Sequence, residues 1–278
     1  MQQARELPGT PAPGAGASDA PLLRAGGVTV QYKTPDHLVT ATYRVSFDIY
    51  PAERFVILGP SGCGKSTLLK AIAGFIKPVE GEILLKGNPV SGPGPDRMMV
   101  FQEFDQLLPW KTVIQNVMFP MRENGIAHAE ARARARDAVE RVGLAEFVDV
   151  YPHMLSGGMK QRCAIARAMA MKPDVLLMDE PYGSLDALTR RKMQDELLQL
   201  WEDTRFTLVF VTHSIEEAVI VGSRIAVLSP HPGQVRAELN SPGFAHDERS
   251  GLAFQNLVNH ISGMLFGGND KIDGGAHG

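Results

Sequence analysis

Short apolar runs alternate with amphipathic segments through the second half of the chain. Three of these runs, "VLLMD", "TLVFVTH" and "RIAVLS", are apolar at nearly every position. Such runs are typical of strands that are covered on both faces, as in a parallel sheet. The segments between them have helical spacing. In residues 190–203 one face carries Met193, Leu197, Leu200 and Trp201. The pattern predicts an α/β core with a largely parallel sheet.

The N-terminal third of the chain contains further strand signals. The first are "VTVQY" at residues 28–32 and "YRVSFDIY", in which Val45, Phe47 and Ile49 alternate with polar neighbours. A short apolar run, "RFVILGP", then ends in a glycine-rich turn before the helical segment "KSTLLKAIAGF". Two more runs, "GEILLKG" and "MMVFQE", also predict strands. This third of the chain is therefore expected to be mostly strand.

Residues 103–171 differ from both flanks because they contain helical patterns and no convincing strand. Within residues 129–142 the apolar positions follow one helical face. These positions are Ala131, Ala135, Ala138, Val139 and Val142. A second helix is predicted for residues 158–171, ending at Lys172-Pro173. We expect a separate helical subdomain inserted into the α/β core.

The two ends of the chain lack this patterning. Residues 1–21 are rich in Pro, Gly and Ala and have no apolar signal-peptide core, so they predict a disordered tail. After residue 240 the pattern fades, apart from a possible helix near 252–265 and a glycine-rich end. We therefore divide the chain into a tail (1–21), a main domain (22–240) and a partly disordered extension (241–278).

Composition narrows the functional classes. The 278 residues are 44% hydrophobic, with a net charge of −3 and a pI near 6.2, which gives no sign of a basic nucleic-acid surface. No apolar run approaches the roughly 18 residues of a membrane span. Two cysteines fit a reducing compartment better than a disulfide framework. The expectation is a cytosolic protein, unless a partner holds it at a membrane.

Residues 59–67, "GPSGCGKST", match G-x-x-x-x-G-K-[ST] between a strand and a helix. Glycines let backbone N–H groups turn towards phosphate oxygens, and the helix N-terminus adds positive potential. Lys65 would reach the β- and γ-phosphates of ATP, and the Ser66 hydroxyl would bind Mg²⁺. A chance glycine-rich loop is the alternative, and the strand–helix context makes it improbable. The predicted nucleotide-binding residues are Gly59, Pro60, Ser61, Gly62, Cys63, Gly64, Lys65, Ser66 and Thr67, with Cys63 a small filler.

Two carboxylates end the strand "VLLMDE". Buried acids are costly unless they meet a cation or hydrogen-bond donors. Beside the phosphate loop, Asp179 would hold Mg²⁺ and Glu180 would orient and deprotonate the attacking water. His213 ends the strand "TLVFVTH", where it would hydrogen-bond the γ-phosphate. A lone histidine at a strand end is more often structural, so chemistry alone would not have selected it.

Over residues 22–240 the sequence resembles the ATP-binding subunit of an ABC transporter. "GPSGCGKST" looks like its Walker A motif, "VLLMDE" its Walker B, "LSGGM" its signature, "GSLDA" its D-loop and "VTHSIEEA" its switch-histidine segment. The resemblance implies a P-loop NTPase fold with an N-terminal antiparallel β subdomain. It also implies a catalytic and metal-binding role for Gln102, and nucleotide contacts from Asp186 and Tyr32. Tyr43 is a competing candidate for the aromatic that stacks on adenine.

In this family the signature serves the ATP of a second subunit. The resemblance implies that Ser156, Gly157 and Gly158 contact the γ-phosphate held by a partner cassette, packed head to tail. Glycines would allow the close approach, and a helix starting there directs its dipole at the anion. An ordinary helix cap would account for Ser156 but not for the two glycines. A homodimer joined by ATP is expected.

A closer similarity exists to importers of nitrate, aliphatic sulfonates and taurine, carried by "SGPGPDRMMVFQEFDQLLPW", "SRIAVLSPHPGQV" and "LSGGMKQR". Met159, where many cassettes have Gln, and Tyr182, where Phe is frequent, are departures that remove no catalytic group. The similarity implies a permease partner, indirectly a solute-binding protein, and a peripheral location on the cytoplasmic face of the inner membrane. A non-transport ABC ATPase of translation or DNA repair is the alternative.

The apolar segment after Gln102 allows two interpretations. Leu107, Leu108 and Trp110 would line a groove for a short cytoplasmic helix of the permease, or they would pack the helical subdomain against the core. An exposed apolar patch is required somewhere on a subunit of this kind, but sequence does not locate it.

Overall fold

A computed structural model describes residues 20–33, 37–102, 106–244 and 246–266. Its larger sheet has six strands in the order β10-β9-β3-β8-β7-β6. Every neighbouring pair is parallel except β9 with β10. The strands are β3 (Arg54–Leu58), β6 (Arg97–Val100), β7 (Val175–Asp179), β8 (Thr207–Thr212), β9 (Arg224–Leu228) and β10 (Val235–Asn240). Strands β3, β7 and β8 are buried at every position, which confirms the prediction from their apolar runs.

The smaller sheet is antiparallel, in the order β2-β1-β4-β5. It is formed by β1 (Leu23–Lys33), β2 (Leu38–Ile49), β4 (Glu80–Leu85) and β5 (Asn88–Pro89). In β2 the alternating residues Val45, Phe47 and Ile49 are buried, and the polar residues between them face outwards or are half-buried. This sheet is the antiparallel β subdomain that the family resemblance implies.

Among the described residues, three α-helices lie between β6 and β7, where the sequence predicts the helical subdomain. They are α2 (Val113–Glu123), α3 (His128–Arg141) and α4 (Gly157–Met169). In α3 the small residues Ala131, Ala135 and Ala138 are buried, so the helix packs closely against its neighbours. Helix α2, which the pattern did not single out, begins at a capping box in which Thr112 and Gln115 satisfy each other's backbone N–H groups.

Four further helices belong to the core and the C-terminal part. They are α1 (Lys65–Ile72), α5 (Ala187–Thr204), α6 (Ile215–Val221) and α7 (Leu252–Phe266). Helix α7 buries Phe254 and Ile261 against the core cluster that includes α6. Within the described residues, no helix is both long enough and apolar enough to span a bilayer.

In the C-terminal part, α7 confirms the helix suggested near residues 252–265, whereas β10 was not predicted. Strand β10 alternates half-buried and exposed residues, so it lacks the continuous apolar run that marks the other core strands. The described residues after β10, 241–244 and 246–266, include α7, which packs on the core. Most of the expected N-terminal tail, residues 1–19, and the glycine-rich end, residues 267–278, lie outside the described residues.

Candidate active site

The phosphate loop connects β3, in the middle of the larger sheet, to the start of α1. Gly62 and Gly64 have φ values of 81° and 96°, in the left-handed region that favours glycine. A Cβ on Gly64 would lie 2.3 Å from the Ala41 carbonyl oxygen, so no side chain fits there. The loop backbone is therefore pressed against β2 and fixed in shape before any ligand binds.

The Lys65 side chain folds back across this loop. The side chain is 4% exposed, and its ammonium group donates to the carbonyl oxygens of Gly59, at 2.9 Å, and Pro60, at 3.0 Å. The carboxylate of Glu180 lies 3.5 Å away. A buried ammonium needs such partners. The charge is thus held at the mouth of the loop, where an anion can be added.

Ser66 and Asp179 meet although they are far apart in sequence. The Ser66 hydroxyl donates to Asp179 Oδ1 at 2.7 Å. Burial raises the pKa of the Asp179 carboxyl, and the hydrogen bond from Ser66 opposes this rise. A hydroxyl and a largely buried carboxylate are hard oxygen ligands of the kind that Mg²⁺ prefers. The pair therefore fits the predicted metal site.

Gln102 lies beside the turn that follows β7. A Cβ on Gly183 would be 3.0 Å from Gln102 Nε2, so the amide lies close to Gly183, three residues after Glu180. Gln102 is exposed and ends the described segment 37–102. Its predicted catalytic and metal-binding roles stay predictions.

Glu180 is held in an unusual backbone conformation. Its φ is 43°, which is strained for a residue with a side chain. Its N–H donates to the Val211 carbonyl of β8 at 2.9 Å, which fixes the position. The side chain is 16% exposed, and Oε2 lies 2.8 Å from His213 Nδ1. His213 therefore pairs with the carboxylate, a contact that the sequence did not indicate.

Lys65, Ser66 and Glu180 border a cavity of about 200 Å³, whereas Asp179, Gln102 and His213 do not line it. Its lining consists of Tyr32, Ala41, Ser61, Gly62, Gly64, Lys65, Ser66, Thr67, Glu180 and His231. Of the two tyrosines considered for adenine stacking, Tyr32 lines the cavity, and it is 46% exposed. Tyr43 is absent from the lining and has the guanidinium of Arg44 over its ring. The cavity thus combines the groups predicted to bind phosphate with the exposed rings of Tyr32 and His231.

Three residues of the predicted loop set do not line the cavity. The carbonyls of Gly59 and Pro60 hold Lys65, as described above. The Cys63 thiol is buried, 2.8 Å from where a Cβ on Gly59 would lie. Burial raises the pKa of this thiol, so it stays neutral. Its role as a filler is consistent with this packing.

The signature residues lie away from this cavity, at the start of α4. Ser156 is the N-cap, accepting from Met159 N–H at 3.3 Å. A Cβ on Gly158 would lie 3.3 Å from the Thr189 methyl group and 3.9 Å from Met193 Sδ. The close packing of α4 on α5 therefore favours glycine at position 158 within the subunit itself. The sequence alone did not indicate this packing.

Asp186 acts as a helix cap in the structure. Its carboxylate accepts hydrogen bonds from the N–H groups of Leu188 and Thr189 at the start of α5. These hydrogen bonds lower the pKa of the Asp186 carboxyl. The residue is exposed and does not border the cavity of its own subunit, so its predicted nucleotide contact stays a prediction.

Glu217 is a buried carboxylate that sequence reasoning missed. It accepts from the Thr212 hydroxyl at 2.5 Å and the Gln194 amide at 3.4 Å, and it lies 3.7 Å from the Arg190 guanidinium. Arg190 also donates to the Leu185 carbonyl at 3.0 Å. The sequence "SIEE", residues 214–217, has the pattern of a capping box. The Glu217 carboxylate binds the Thr212 hydroxyl rather than the backbone N–H of the cap residue.

Comparisons with known proteins find a matching family and several relatives. The profile of the family described as ABC transporter matches residues 42–183. A taurine import ATP-binding protein of Rhizobium johnstonii is 53% identical over 203 residues, covering 73% of this chain and 77% of that relative. Another, of Burkholderia thailandensis, is 45% identical over 235 residues, covering 84% and 90%. A solved dimeric, post-hydrolysis ATP-binding cassette with ADP and Pi matches at TM-score 0.69 and 34% identity, covering 80% and 100%.

Proposed function

This chain belongs to the ABC transporter family as an ATP-hydrolysing subunit, and we propose that it drives import of a small anionic solute of the taurine, sulfonate or nitrate class. The observation that carries the solute class is the 53% identity to a relative named for taurine import. The solute itself would pass through a separate permease, after delivery by a solute-binding protein.

In ATP hydrolysis each of the predicted site residues would have its own role. The loop N–H groups and Lys65 would hold the β- and γ-phosphates of ATP. Ser66 and Asp179, with Gln102, would supply oxygen ligands to Mg²⁺, which neutralises phosphate charge when it is bound. Glu180 would orient a water for in-line attack and take its proton.

His213 would act with Glu180. Its Nδ1 lies 2.8 Å from the Glu180 carboxylate, so the ring limits the directions in which that carboxylate can point. When ATP is bound, the same ring would be near enough to hydrogen-bond the γ-phosphate. The general base and the phosphate would then share one positioning residue.

The active unit is proposed to be a homodimer with ATP at the subunit interface. Ser156, Gly157 and Gly158 lie outside the cavity of their own subunit, and Ser156 is exposed at the start of α4. A helix N-terminus there is a ready anion site. A partner's γ-phosphate would complete it, in line with the dimeric cassette that resembles this chain.

The permease is proposed to dock on the helical subdomain. Leu107 is 3% exposed and belongs to the core, so it follows the packing interpretation. Trp110 is 69% exposed and is available to a partner. The chain after it runs beside Val148 and Val150 through two backbone hydrogen bonds, and Tyr151, which follows, is 41% exposed. Docking there would hold the protein at the cytoplasmic face of the inner membrane.

Reconstitution of the whole transporter tests this function. The chain would be purified with its permease in proteoliposomes, and ATPase activity measured as binding protein loaded with taurine, an alkanesulfonate, nitrate or an amino-acid cation is added. We expect stimulation by one or more of taurine, the alkanesulfonate and nitrate. Stimulation by the cation alone would contradict the solute class. Trp110→Ala should weaken co-purification of the permease, and Leu188→Ala, at another exposed apolar residue (80% exposed), is the control.

A further inference from the structure

The loop between β9 and β10 has a fixed shape. It comprises residues 229–234, Ser-Pro-His-Pro-Gly-Gln. Ser229 N–H donates to the Gln234 carbonyl at 2.8 Å, and the Ser229 hydroxyl accepts from Gln234 N–H at 3.0 Å. The same hydroxyl lies 3.1 Å from the Pro232 carbonyl. Proline also limits the backbone on either side of His231. The loop is thus closed on itself before any ligand binds.

This loop also packs directly against the phosphate loop. Gly233 N–H donates to the Ala41 carbonyl at 3.0 Å, and Tyr43 N–H donates to the Gly233 carbonyl at 2.9 Å. A Cβ on Gly233 would lie 2.2 Å from the Cys63 carbonyl oxygen. Only glycine permits that approach. The result is a rigid connection between the β9–β10 loop, β2 and the phosphate loop.

His231, at the tip of the loop, borders the nucleotide cavity. Lys65, Ser66 and Thr67 occupy the phosphate end of that cavity. The remaining aromatic group, Tyr32, lies on β1, which pairs with β2 along the segment that holds the His231 loop. One β ribbon therefore carries Tyr32 and anchors the loop of His231. Both side chains are exposed.

We propose that His231 contacts the adenosine moiety of ATP, as a second nucleoside contact beside Tyr32. The phosphates already have the loop N–H groups and Lys65, whereas the base and ribose have only Tyr32 among the lining side chains described. An imidazole offers an aromatic face to adenine and a nitrogen to the ribose hydroxyls or ring nitrogens. The proposal deepens the ATPase assignment and rests on this cavity binding ATP.

The experiment compares ligands with and without the nucleoside. Calorimetry would measure binding of MgADP and of magnesium pyrophosphate to the wild type, His231→Ala and the control His260→Ala, which alters an exposed histidine of α7. For His231→Ala, ADP affinity should fall by about two- to twelvefold, the range of an aromatic contact. Pyrophosphate affinity should not change. His231→Phe, which keeps a ring, should recover part of the loss.

Two results would overturn the proposal. One is ADP affinity in His231→Ala equal to that of the wild type, with unchanged melting temperature as the check on folding. The other is an equal loss for ADP and pyrophosphate, which would move His231 to the phosphate end. Wild-type protein that binds ADP no more tightly than pyrophosphate would remove the nucleoside site and the proposal with it. None of these measurements depends on transport, so a failure of the import assignment would be seen separately.

Discussion

Replacing Glu180 by glutamine separates its chemical role from its structural one. The side chain keeps its shape and one oxygen, but it loses the charge and the basicity that proton transfer needs. Loss of a positioned general base costs about 10²- to 10⁴-fold in rate. We expect Glu180→Gln to lose ATP turnover by that factor, while its fold and its contact with His213 persist.

The same change should alter the response to ATP in a predictable direction. Glu180 lies 3.5 Å from the Lys65 ammonium, where two unit charges interact by about 5 kcal/mol before desolvation at an effective dielectric constant near 20. Lys65 keeps two carbonyl partners, so the net loss to the free protein should be only about 1 kcal/mol. With ATP bound, the γ-phosphate replaces the missing charge, and its repulsion by the carboxylate is gone.

Thermal unfolding and turnover would be measured on the same samples, with Glu216→Gln, an exposed glutamate of α6, as the matched control. Without nucleotide, Glu180→Gln should melt about 2–4 °C below the wild type. With MgATP its melting temperature should rise by more than that of the wild type. Turnover above about a tenth of the wild-type rate would exclude Glu180 as the general base. A variant that neither binds nor hydrolyses ATP would mean that Glu180 is structural.

Three other substitutions address the nucleoside end, the buried carboxylate and the C-terminal helix. Tyr32→Ala should weaken ADP binding by about 1 kcal/mol in calorimetry, and Tyr32→Trp should not; equal affinities would remove the stacking role. Glu217→Ala should cost about 1–3 kcal/mol in urea unfolding, since it leaves the Thr212 hydroxyl without its acceptor and the Arg190 guanidinium without its nearby carboxylate; no loss would disprove that dependence. Phe254→Ala, at 4% exposure, should cost about 3–5 kcal/mol. Leu252→Ala, at 83% exposure, should stay within about 0.5 kcal/mol, and equal costs would contradict the docking of α7.

The sequence predicts those parts of the fold whose signal is local. A strand buried on both faces must be apolar throughout, so β7 and β8 were visible as runs. Strand β10 was not, because it has one neighbour and half of its side chains are exposed. Helix α2 was hidden for a related reason. It contains Pro120, which predicts a helix end, and its start depends on the capping box of Thr112.

The hydrophobic pattern does not predict which distant segments contact each other. Ser66 follows β3 and Asp179 ends β7, and only β8 lies between these two strands in the sheet. The apolar runs do not specify this strand order, so they do not predict that the two residues meet. His231 was missed because a histidine between two prolines carries no chemical signature until the loop is seen against the phosphate loop. Glu217 was missed because its sequence pattern is that of a helix cap.

The proposed contact between the signature and a partner's phosphate has to be tested by a substitution at a residue other than its glycines. A Cβ on Gly158 would lie 3.3 Å from the Thr189 methyl group, so a side chain there would need that neighbour to shift by a few tenths of an ångström. Loss of activity on substitution of Gly158 would therefore not separate packing from contact with a partner's phosphate. Ser156 is a better choice, because it is exposed and its hydroxyl accepts a hydrogen bond from Met159 N–H.

Ser156→Asp turns this difference into a test of the dimer. Aspartate and asparagine cap a helix about as well as serine, so the free subunit should be equally stable with either. If a partner's γ-phosphate binds at this helix start, aspartate places a second negative charge against it, whereas asparagine does not. In a Glu180→Gln background with MgATP, sedimentation should find Ser156→Asn as a dimer and Ser156→Asp as a monomer. Because charge alone separates the two variants, equal dimerisation would mean that no phosphate approaches Ser156, and the head-to-tail arrangement would have to be abandoned.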